Sequence, residues 1–418
     1  MGLSFIHASD LHLDSPFQGA VGRNADAEAS LREATFLAWT NLVDLCLERR
    51  PDFLLLAGDI FDAADRSIRA QLRFRDGLAR LAEAGVPTYV VHGNHDPVSE
   101  WSRAICWPDA VHVFDAERVQ TRVHEQKGRP VAAISGISYA SAAESRNLAA
   151  DFHAEHPDLF QIALLHCNCG GQAAHDPYAP CTREQLAAAG FDYWALGHAH
   201  EPILLSHQPM IVYPGCTQGR SVCELGARGC FLIEVDDQGR LSPSFHPLDA
   251  VRWFHESVDA SDLQTLDALD EALADHIDLI RTAAQGRPAI GRLALTGRTE
   301  LAADLLRPDR AADLERRVRD CAQAASPPVW VDKLHIACRT PLDLENRRRA
   351  GDLLGQLLSI AEEVRRDDDP SRQLRPALDE LFAHRRAGPA LDPPDPAELL
   401  DLLEQAEHLC ADLLEPES

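Results

Sequence analysis

The chain has 418 residues, 45% of them hydrophobic, which is enough for two or three domains with buried cores. Its net charge of −26 argues against a protein that coats nucleic acid unaided, although bound divalent cations could supply positive charge locally. No apolar run is long enough to span a membrane, no signal peptide is recognisable, and the eleven cysteines lack a paired spacing, so we expect a cytoplasmic protein with free thiols and no membrane partner.

The first 250 residues alternate strand-like apolar runs with helix-length stretches. Helices are predicted over residues 30–49 and 67–84, where apolar residues recur at helical spacing. The strand-like runs are LSFIHAS, DFLLLAG, PTYVVHG, AAISGIS, QIALLH, FDYWALGH and MIVYPG. Because these runs are apolar throughout, they predict strands covered on both faces. The later stretch CFLIEVDDQGRLSPSFHPL is typical of a hairpin that turns at DDQG.

The character of the sequence changes near residue 260. An amphipathic helix follows, then the strand PAIGRLALTG, a helix over residues 309–324 and the strand VWVDKLHIAC. After about residue 342 the pattern is helical, and residues 389–418 carry nine acidic residues without Lys or Arg. We therefore predict domains over residues 1–255, 256–341 and 342–418.

Polar side chains with metal-binding groups follow five of the early strand-like runs. Loops beyond the carboxyl ends of strands in an α/β sheet gather in space, so we expect these side chains to converge. The mixture of carboxylate, imidazole and amide groups suits Mn, Fe or Zn at a hydrolytic site. The candidate ligands are Asp10, His12, Asp59, Asn94, His166, His198 and His200.

Seven donors are too many for one ion with an open coordination position. Two ions that share the carboxylate of Asp59 fit the count, and such a pair is suited to phosphoryl transfer. His198 and His200, in the stretch LGHAHEP, are then expected to bind different ions. Gly58, Gly93 and Gly197 stand at the start of these motifs, where the backbone must turn sharply beneath a crowded centre.

The order DxH, GDxxD, GNHD, a lone His and GHxH is similar to that of the calcineurin-like metallophosphoesterase superfamily. Within it, the segments HASDLHLDSPF, HDPYAPC, YPGCTQGR and LTGRT resemble SbcD-type DNA repair exonucleases of the YhaO-like branch. The resemblance implies an α/β fold: a two-sheet metallophosphoesterase sandwich flanked by helices, with a small α+β capping domain and a helical C-terminal tail.

The resemblance also implies a mechanism and partners. His95 corresponds to the catalytic histidine of the family, and Asp96 would orient it, although Asp96 could also be a simple turn residue. One Mn(II) ion would be bound by Asp10, His12, Asp59 and His200, and the other by Asp59, Asn94, His166 and His198. The family's activity is Mn-dependent 3′-to-5′ exonuclease cleavage of DNA with endonuclease action as an addition, carried out by a homodimer that works with an SbcC-like coiled-coil ATPase.

Several residues keep two interpretations. Asp62 stands where some relatives carry a second catalytic histidine, so it either orients a neighbour or caps a helix while His95 works alone. Arg220 could contact phosphate or form a surface salt bridge, and Cys167 and Cys169 are expected to be buried thiols in preference to a metal site. The C-terminal leucine stripe could pack on its own chain or on the ATPase; its members are Leu399, Leu400, Leu402, Leu403, Leu409 and Leu413.

Two other functions compete with the nuclease. The same metal centre would serve a phosphodiesterase or phosphatase that acts on small phosphodiesters or phosphoproteins. Phosphoprotein phosphatases of the superfamily typically carry GNHE, whereas this chain reads GNHD and continues for about 160 further residues. The third candidate is an accessory subunit without catalytic activity that regulates an ATPase.

Overall fold

The computed structural model describes residues 2–17, 25–62, 67–98, 106–170, 178–324, 326–341, 344–367, 370–383 and 394–414. Over these ranges the chain forms fifteen strands and ten α-helices. The strands are β1 (Leu3–Ala8), β2 (Phe53–Ala57), β3 (Thr88–Val91), β4 (Val111–Val113), β5 (Gln120–Gln126), β6 (Arg129–Gly136), β7 (Phe160–His166), β8 (Tyr193–Gly197), β9 (Ile203–His207), β10 (Met210–Tyr213), β11 (Gly229–Val235), β12 (Leu241–Pro247), β13 (Arg252–Asp259), β14 (Ala289–Thr296) and β15 (Val329–Ile336). The helices are α1 (Ala25–Arg49), α2 (Ile68–Glu83), α3 (Arg183–Ala188), α4 (Leu266–Ala283), α5 (Ala302–Leu305), α6 (Pro308–Gln323), α7 (Leu344–Arg348), α8 (Leu353–Arg365), α9 (Pro370–Ala383) and α10 (Pro396–Leu414).

The chain divides into two compact units. The first comprises Met1–Thr296 with Asp304–Ala337, and the second comprises Gly297–Ala303 with Cys338–Ser418. None of the described helices has the length and apolarity that crossing a bilayer requires. The eleven cysteines are all free thiols, as their spacing predicts.

Two six-stranded sheets build most of the first unit. Their orders are β12-β11-β1-β2-β3-β4 and β5-β6-β7-β8-β10-β9. Alternate side chains of β1 point to opposite faces, so Phe5 joins the core between the sheets while Ile6 faces outward to the helices. Phe53 of β2 and Tyr193 of β8 complete the inner core around Phe5. The predicted α/β two-sheet sandwich is confirmed.

Helices cover the outer face of the first sheet. Phe36 and Trp39 of α1 and Phe74 of α2 pack there, with ring centroids of Trp39 and Phe74 4.9 Å apart. Ser67 begins α2 by accepting a hydrogen bond from the backbone of Ala70, which satisfies one amide that the first turn would leave unpaired. Both helices lie where their apolar periodicity predicts.

A smaller three-stranded sheet, ordered β13-β14-β15, follows the sandwich in the first unit. All three strands are parallel, and α4 and α6 form the crossovers between them. The sequence pattern did not predict β13, because His255 and Glu256 interrupt its apolar residues; pairing with β14 makes it a strand. The predicted boundary at residue 256 falls inside β13, and the three-domain division stays a prediction.

The second unit is helical. Leu354 and Leu358 of α8 pack against Ala411 of α10, and the buried carboxylate of Glu407 pairs with Arg365. An adjacent stripe of α8 is exposed, with Leu353 60% and Ile360 57% accessible. The tail stripe is divided in the same way: Leu399 is buried, whereas Leu402, Leu409 and Leu413 are exposed.

Candidate metal centre

Both sheets deliver donor side chains to one end of the sandwich. The strands β1, β2 and β3 belong to the first sheet, and β7 and β8 to the second, so the centre forms where their carboxyl ends meet. Each loop continues directly from a buried apolar strand, which holds it at a defined position. In strand order the loops contribute Asp10 and His12, Asp59, Asn94 and His95, His166, and finally His198 and His200.

Asp10, His12 and His200 form the first cluster of donors. One donor atom from each lies within 4.8 Å of the other two. The Nε2 atoms of His12 and His200 are 3.3 Å apart, and Nε2 of His200 is 3.8 Å from the carboxylate of Asp10. Oδ2 of Asp59 lies 3.9 Å from Nε2 of His12, at the side of this cluster.

Asp59, His166 and Asn94 form the second cluster. Nε2 of His166 is 3.4 Å from Oδ2 of Asp59 and 3.0 Å from Oδ1 of Asn94. Asp10 joins this cluster too, since its carboxylate lies within 4.8 Å of the donor atoms of Asp59 and His166. Asp59 therefore stands between the two clusters, where a bridging carboxylate would be needed. The assignment of these residues as ligands stays a prediction.

His198 contacts the other donor residues through its backbone amide and its ring face, whereas His200 does so through a ring nitrogen. Its backbone amide donates to both oxygens of Asp10, at 3.2 and 3.3 Å, and its ring packs against His166 with centroids 5.3 Å apart. The ring nitrogens of His198 do not belong to the tight groups of potential ligand atoms found among the described residues. The binding of His198 and His200 to different ions remains a prediction.

The tautomers of the histidines provide a test of whether metal ions fit. Nδ1 of His12 donates to Asp62 at 3.1 Å, and Nδ1 of His200 donates to Glu224 at 2.6 Å. In the neutral rings this leaves a lone pair on each Nε2, and these two atoms face each other and Asp10. Lone pairs and carboxylate oxygens repel one another unless a cation lies between them. This half of the centre fits a divalent metal ion.

The cluster of Asp59, His166 and Asn94 also fits a divalent metal ion, but a backbone carbonyl, not a carboxylate, fixes the tautomer of its histidine. Nδ1 of His166 donates to the backbone carbonyl of Ala57 at 2.8 Å, so the lone pair of Nε2 points at Asn94 and Asp59. All three atoms are acceptors of the kind that ligate divalent ions. Partners that fix the tautomer in this way are typical of metal-binding histidines.

Burial and mutual charge shape the electrostatics of the two carboxylates. Burial raises the pKa of Asp10. Burial also opposes ionisation of Asp59, but the imidazoles of His166 and His12 hold the pKa of Asp59 well below its usual range. Burial alone would lower the pKa of His166, but the charge of Asp59 raises it to about 9. A metal ion that binds at Nε2 would therefore displace the proton held there without it. Two anions buried together make cation binding favourable at this position.

His95 lies beside the clusters, with 48% of its side chain exposed. Its Nδ1 donates to Asp62 at 2.6 Å, and this hydrogen bond raises the pKa of His95 to about 9. The prediction that Asp96 orients His95 is wrong. Asp96 accepts hydrogen bonds from the backbone amides of Ile60 and Gly93, at 2.8 and 2.9 Å, so it joins two loops beneath the centre. Of the two interpretations of Asp62, the orienting role agrees with these contacts.

The backbone at the centre is strained. Asp10, His12, Asp59 and His198 all have positive φ angles, 52°, 43°, 51° and 106°. Such conformations are uncommon for residues other than glycine and cluster at functional sites. Gly197 meets another constraint, because a Cβ there would lie 1.9 Å from the carbonyl oxygen of Ala57 in the other sheet. Of the three glycines expected to turn sharply beneath the centre, Gly58 has a positive φ of 91°, whereas Gly93 and Gly197 do not.

Two further residues complete the surroundings. Glu224 was not among the sequence candidates, although its position four residues after Arg220 and close behind β10 is a signal that could have identified it. Arg220 is not a surface residue: its side chain is 15% exposed and lies 3.3 Å from Asp62 and 3.8 Å from Glu224. Cys167 and Cys169 are buried thiols, and Sγ of Cys167 is 3.7 Å from that of Cys181.

Comparison with known proteins identifies the family. The family model of calcineurin-like phosphoesterases matches residues 3–202, and that of the middle domain of metallophosphoesterase YhaO matches residues 253–339. The uncharacterized metallophosphoesterase YhaO of Bacillus subtilis is 38% identical over 297 residues, which cover 71% of this chain and 72% of that protein. The chain belongs to the YhaO-like family of calcineurin-like metallophosphoesterases. It is therefore a metal-dependent hydrolase of phosphate esters.

More distant relatives carry a named biological role. The DNA double-strand break repair protein Mre11 of Aeropyrum pernix is 24% identical over 238 residues, 54% of this chain and 56% of that protein. The protein of the same name from Thermoplasma acidophilum is 26% identical over 247 residues, 56% of this chain and 62% of that protein. The family confirms divalent metal ions as cofactors and leaves the choice of manganese a prediction.

Proposed function

We propose that this YhaO-like protein is a Mn(II)-dependent DNA nuclease, acting mainly as a 3′-to-5′ exonuclease with endonuclease action in addition. The observation that carries the proposal is the pair of donor clusters joined by Asp59, with the His95–Asp62 pair at their edge. Two-ion centres of this kind are suited to in-line displacement at phosphorus. The distant similarity to archaeal Mre11 proteins supports DNA as the substrate.

The chain's own residues supply proton transfer and orientation. When bound, the divalent ions supply Lewis-acid stabilisation of the charge that develops on phosphorus-bound oxygens and provide a nucleophile at neutral pH. Asp62 holds His95 by its Nδ1, so Nε2 remains available to give its proton to the leaving 3′ oxygen. With a pKa of about 9, His95 is protonated at neutral pH and suited to this role.

The test compares three substrates in the presence of Mn(II): duplex DNA, a cyclic nucleotide and a phosphopeptide. We expect cleavage of DNA that the substitution His95→Ala abolishes while Mn(II) binding, measured by calorimetry, is largely retained. Intact DNA together with turnover of either other substrate would favour the alternative, a phosphodiesterase or phosphatase for small phosphodiesters or phosphoproteins. If His95→Ala also abolished Mn(II) binding, the division of roles between Asn94 and His95 would be wrong.

An SbcC-like coiled-coil ATPase is the proposed partner. The exposed apolar faces of α8 and α10, which include Leu353, Ile360, Leu409 and Leu413, support a docking role for the second unit. Homodimerisation through helices of the metallophosphoesterase domain is proposed from the family resemblance. Co-purification with a candidate ATPase, followed by nuclease assays with and without ATP, tests the partnership. An accessory subunit without catalysis would keep its biological role after His95→Ala.

A further inference from the structure

Arg220 is a partly buried arginine that lies against the outer partners of the metal centre, Asp62 and Glu224, and neither metal cluster uses it. NH1 lies 3.3 Å from Oδ2 of Asp62, and NH2 lies 3.8 Å from Oε1 of Glu224. Its buried Nε has no hydrogen-bond partner among the described residues. Both carboxylates make shorter bonds elsewhere, at 2.6 Å, to His95 and His200 respectively.

Structural arginines in the same unit are paired much more closely. Arg252 makes two bonds to Asp249, at 2.7 and 2.9 Å, and Arg228 donates to Glu201 and to the carbonyl of His200 at 2.6 Å. These distances are those of strong charge-assisted hydrogen bonds, whereas the contacts of Arg220 are longer. NH1 and NH2 of Arg220 are therefore less tightly bound within the protein than those of Arg228 and Arg252, although Nε of Arg228 also lacks a partner among the described residues.

A fixed positive charge beside a centre for two divalent cations does not serve metal binding, because like charges repel. Arg220 offsets the charge of Asp62 and Glu224, and the same positive charge would attract an anionic substrate. Arg220 contacts Asp62 and Glu224, which lie behind the outer Nδ1 atoms of His12 and His200. A phosphate held against the inner Nε2 atoms is thus on the other side of these imidazoles from Arg220.

We propose that Arg220 binds a phosphate group adjacent to the one being hydrolysed, so that the site selects polynucleotides over esters with a single phosphate. The inference rests on the proposed nuclease function and deepens it. A chain with a net charge of −26 needs such a local cation to hold a polyanionic strand. Bidentate recognition of phosphate is the task for which a guanidinium is better suited than an ammonium group.

The experiment compares an oligodeoxynucleotide with bis(p-nitrophenyl) phosphate, which carries one phosphodiester, using the full chain with Mn(II). For Arg220→Gln we expect KM for the oligonucleotide to rise about 10-fold or more, since a charge-assisted bond is lost. The value of kcat/KM for the small diester should stay within about twofold. Arg220→Lys should fall between the wild type and Arg220→Gln. The matched control is Arg240→Gln, at an exposed arginine that pairs with Asp236 in the turn between β11 and β12.

Calorimetric titration with Mn(II) gives a second readout without turnover. Removing a neighbouring cation should leave Mn(II) affinity unchanged or make it tighter. Weaker Mn(II) binding, or equal losses on both substrates, would show that Arg220 only supports the centre and would overturn the inference while the nuclease function stands. Wild-type protein that hydrolyses the small diester but leaves the oligonucleotide intact would overturn both.

Discussion

The substitution Gly197→Ala tests whether the metal centre depends on the close approach of the two sheets. A Cβ at Gly197 would lie 1.9 Å from the carbonyl oxygen of Ala57 and 2.8 Å from Nδ1 of His166. Contacts of a Cβ below 3.0 Å are essentially never observed, so the two backbones must separate by more than 1 Å. That same carbonyl accepts the hydrogen bond that fixes the tautomer of His166.

The cost of Gly197→Ala can be worked from these contacts. Overpacking a tight core costs about 1–3 kcal/mol. Losing the bond from buried His166 to Ala57 adds about 1–3 kcal/mol. The sum, about 2–6 kcal/mol, corresponds to a fall in Tm of about 3–9 °C for a unit of this size, because unfolding carries about 2.1 cal/mol/K of entropy per residue. Disturbing a histidine's outer partner weakens metal binding by about 10–100-fold, so only one Mn(II) should remain tightly bound.

Thermal unfolding and calorimetric Mn(II) titration measure both effects. The control is Gly351→Ala, because a Cβ at Gly351 meets nothing within 4 Å. We expect the control to keep the wild-type Tm and metal stoichiometry. Gly197→Ala protein with an unchanged Tm and two bound ions would refute the idea that close approach of the sheets requires glycine here.

Three further predictions concern the centre. Asp62→Asn replaces the carboxylate that raises the pKa of His95 with a neutral, weaker acceptor, so His95 should lose its proton at lower pH and the alkaline limb of kcat should move down from about pH 9. Rates measured from about pH 6 to 10 check this, and an unmoved limb contradicts it. His198→Ala and His200→Ala should each lower the Mn(II) stoichiometry towards one, measured by metal analysis after dialysis; loss of both ions from either variant would count against separate half-sites. Chelation should lower Tm and added Mn(II) should restore it, because the ions bind the folded centre. The free energy of unfolding should rise by about 2.7 kcal/mol when the free Mn(II) concentration is about 100 times Kd. A Tm insensitive to chelation would mean that no ion stabilises this fold.

The sequence by itself determined most of the sheet strands, though not β4, β5, β9 or β13, and it indicated the chemistry of the centre. Apolar runs such as FLLLA in β2 are buried on both faces whatever their neighbours, so local composition was enough to find them. A polar donor that directly follows such a strand must lie at the end of the sheet. For this reason Asp10, Asp59 and His166 could be recognised as members of one site. The strand β13 was missed because hydrogen bonds to β14 create it, and its own residues alternate too weakly.

Only the tertiary structure decided which partners surround the donors. The link between His95 and Asp62 joins loops 33 residues apart, and the link between Arg220 and Asp62 spans 158 residues. Because Asp96 is adjacent to His95 in the sequence, it was the expected partner. In the structure the carboxylate of Asp96 instead accepts hydrogen bonds from two backbone amides. Orientation of this kind depends on backbone angles such as the positive φ of Asp59, which the packed sheets impose and local sequence preferences oppose.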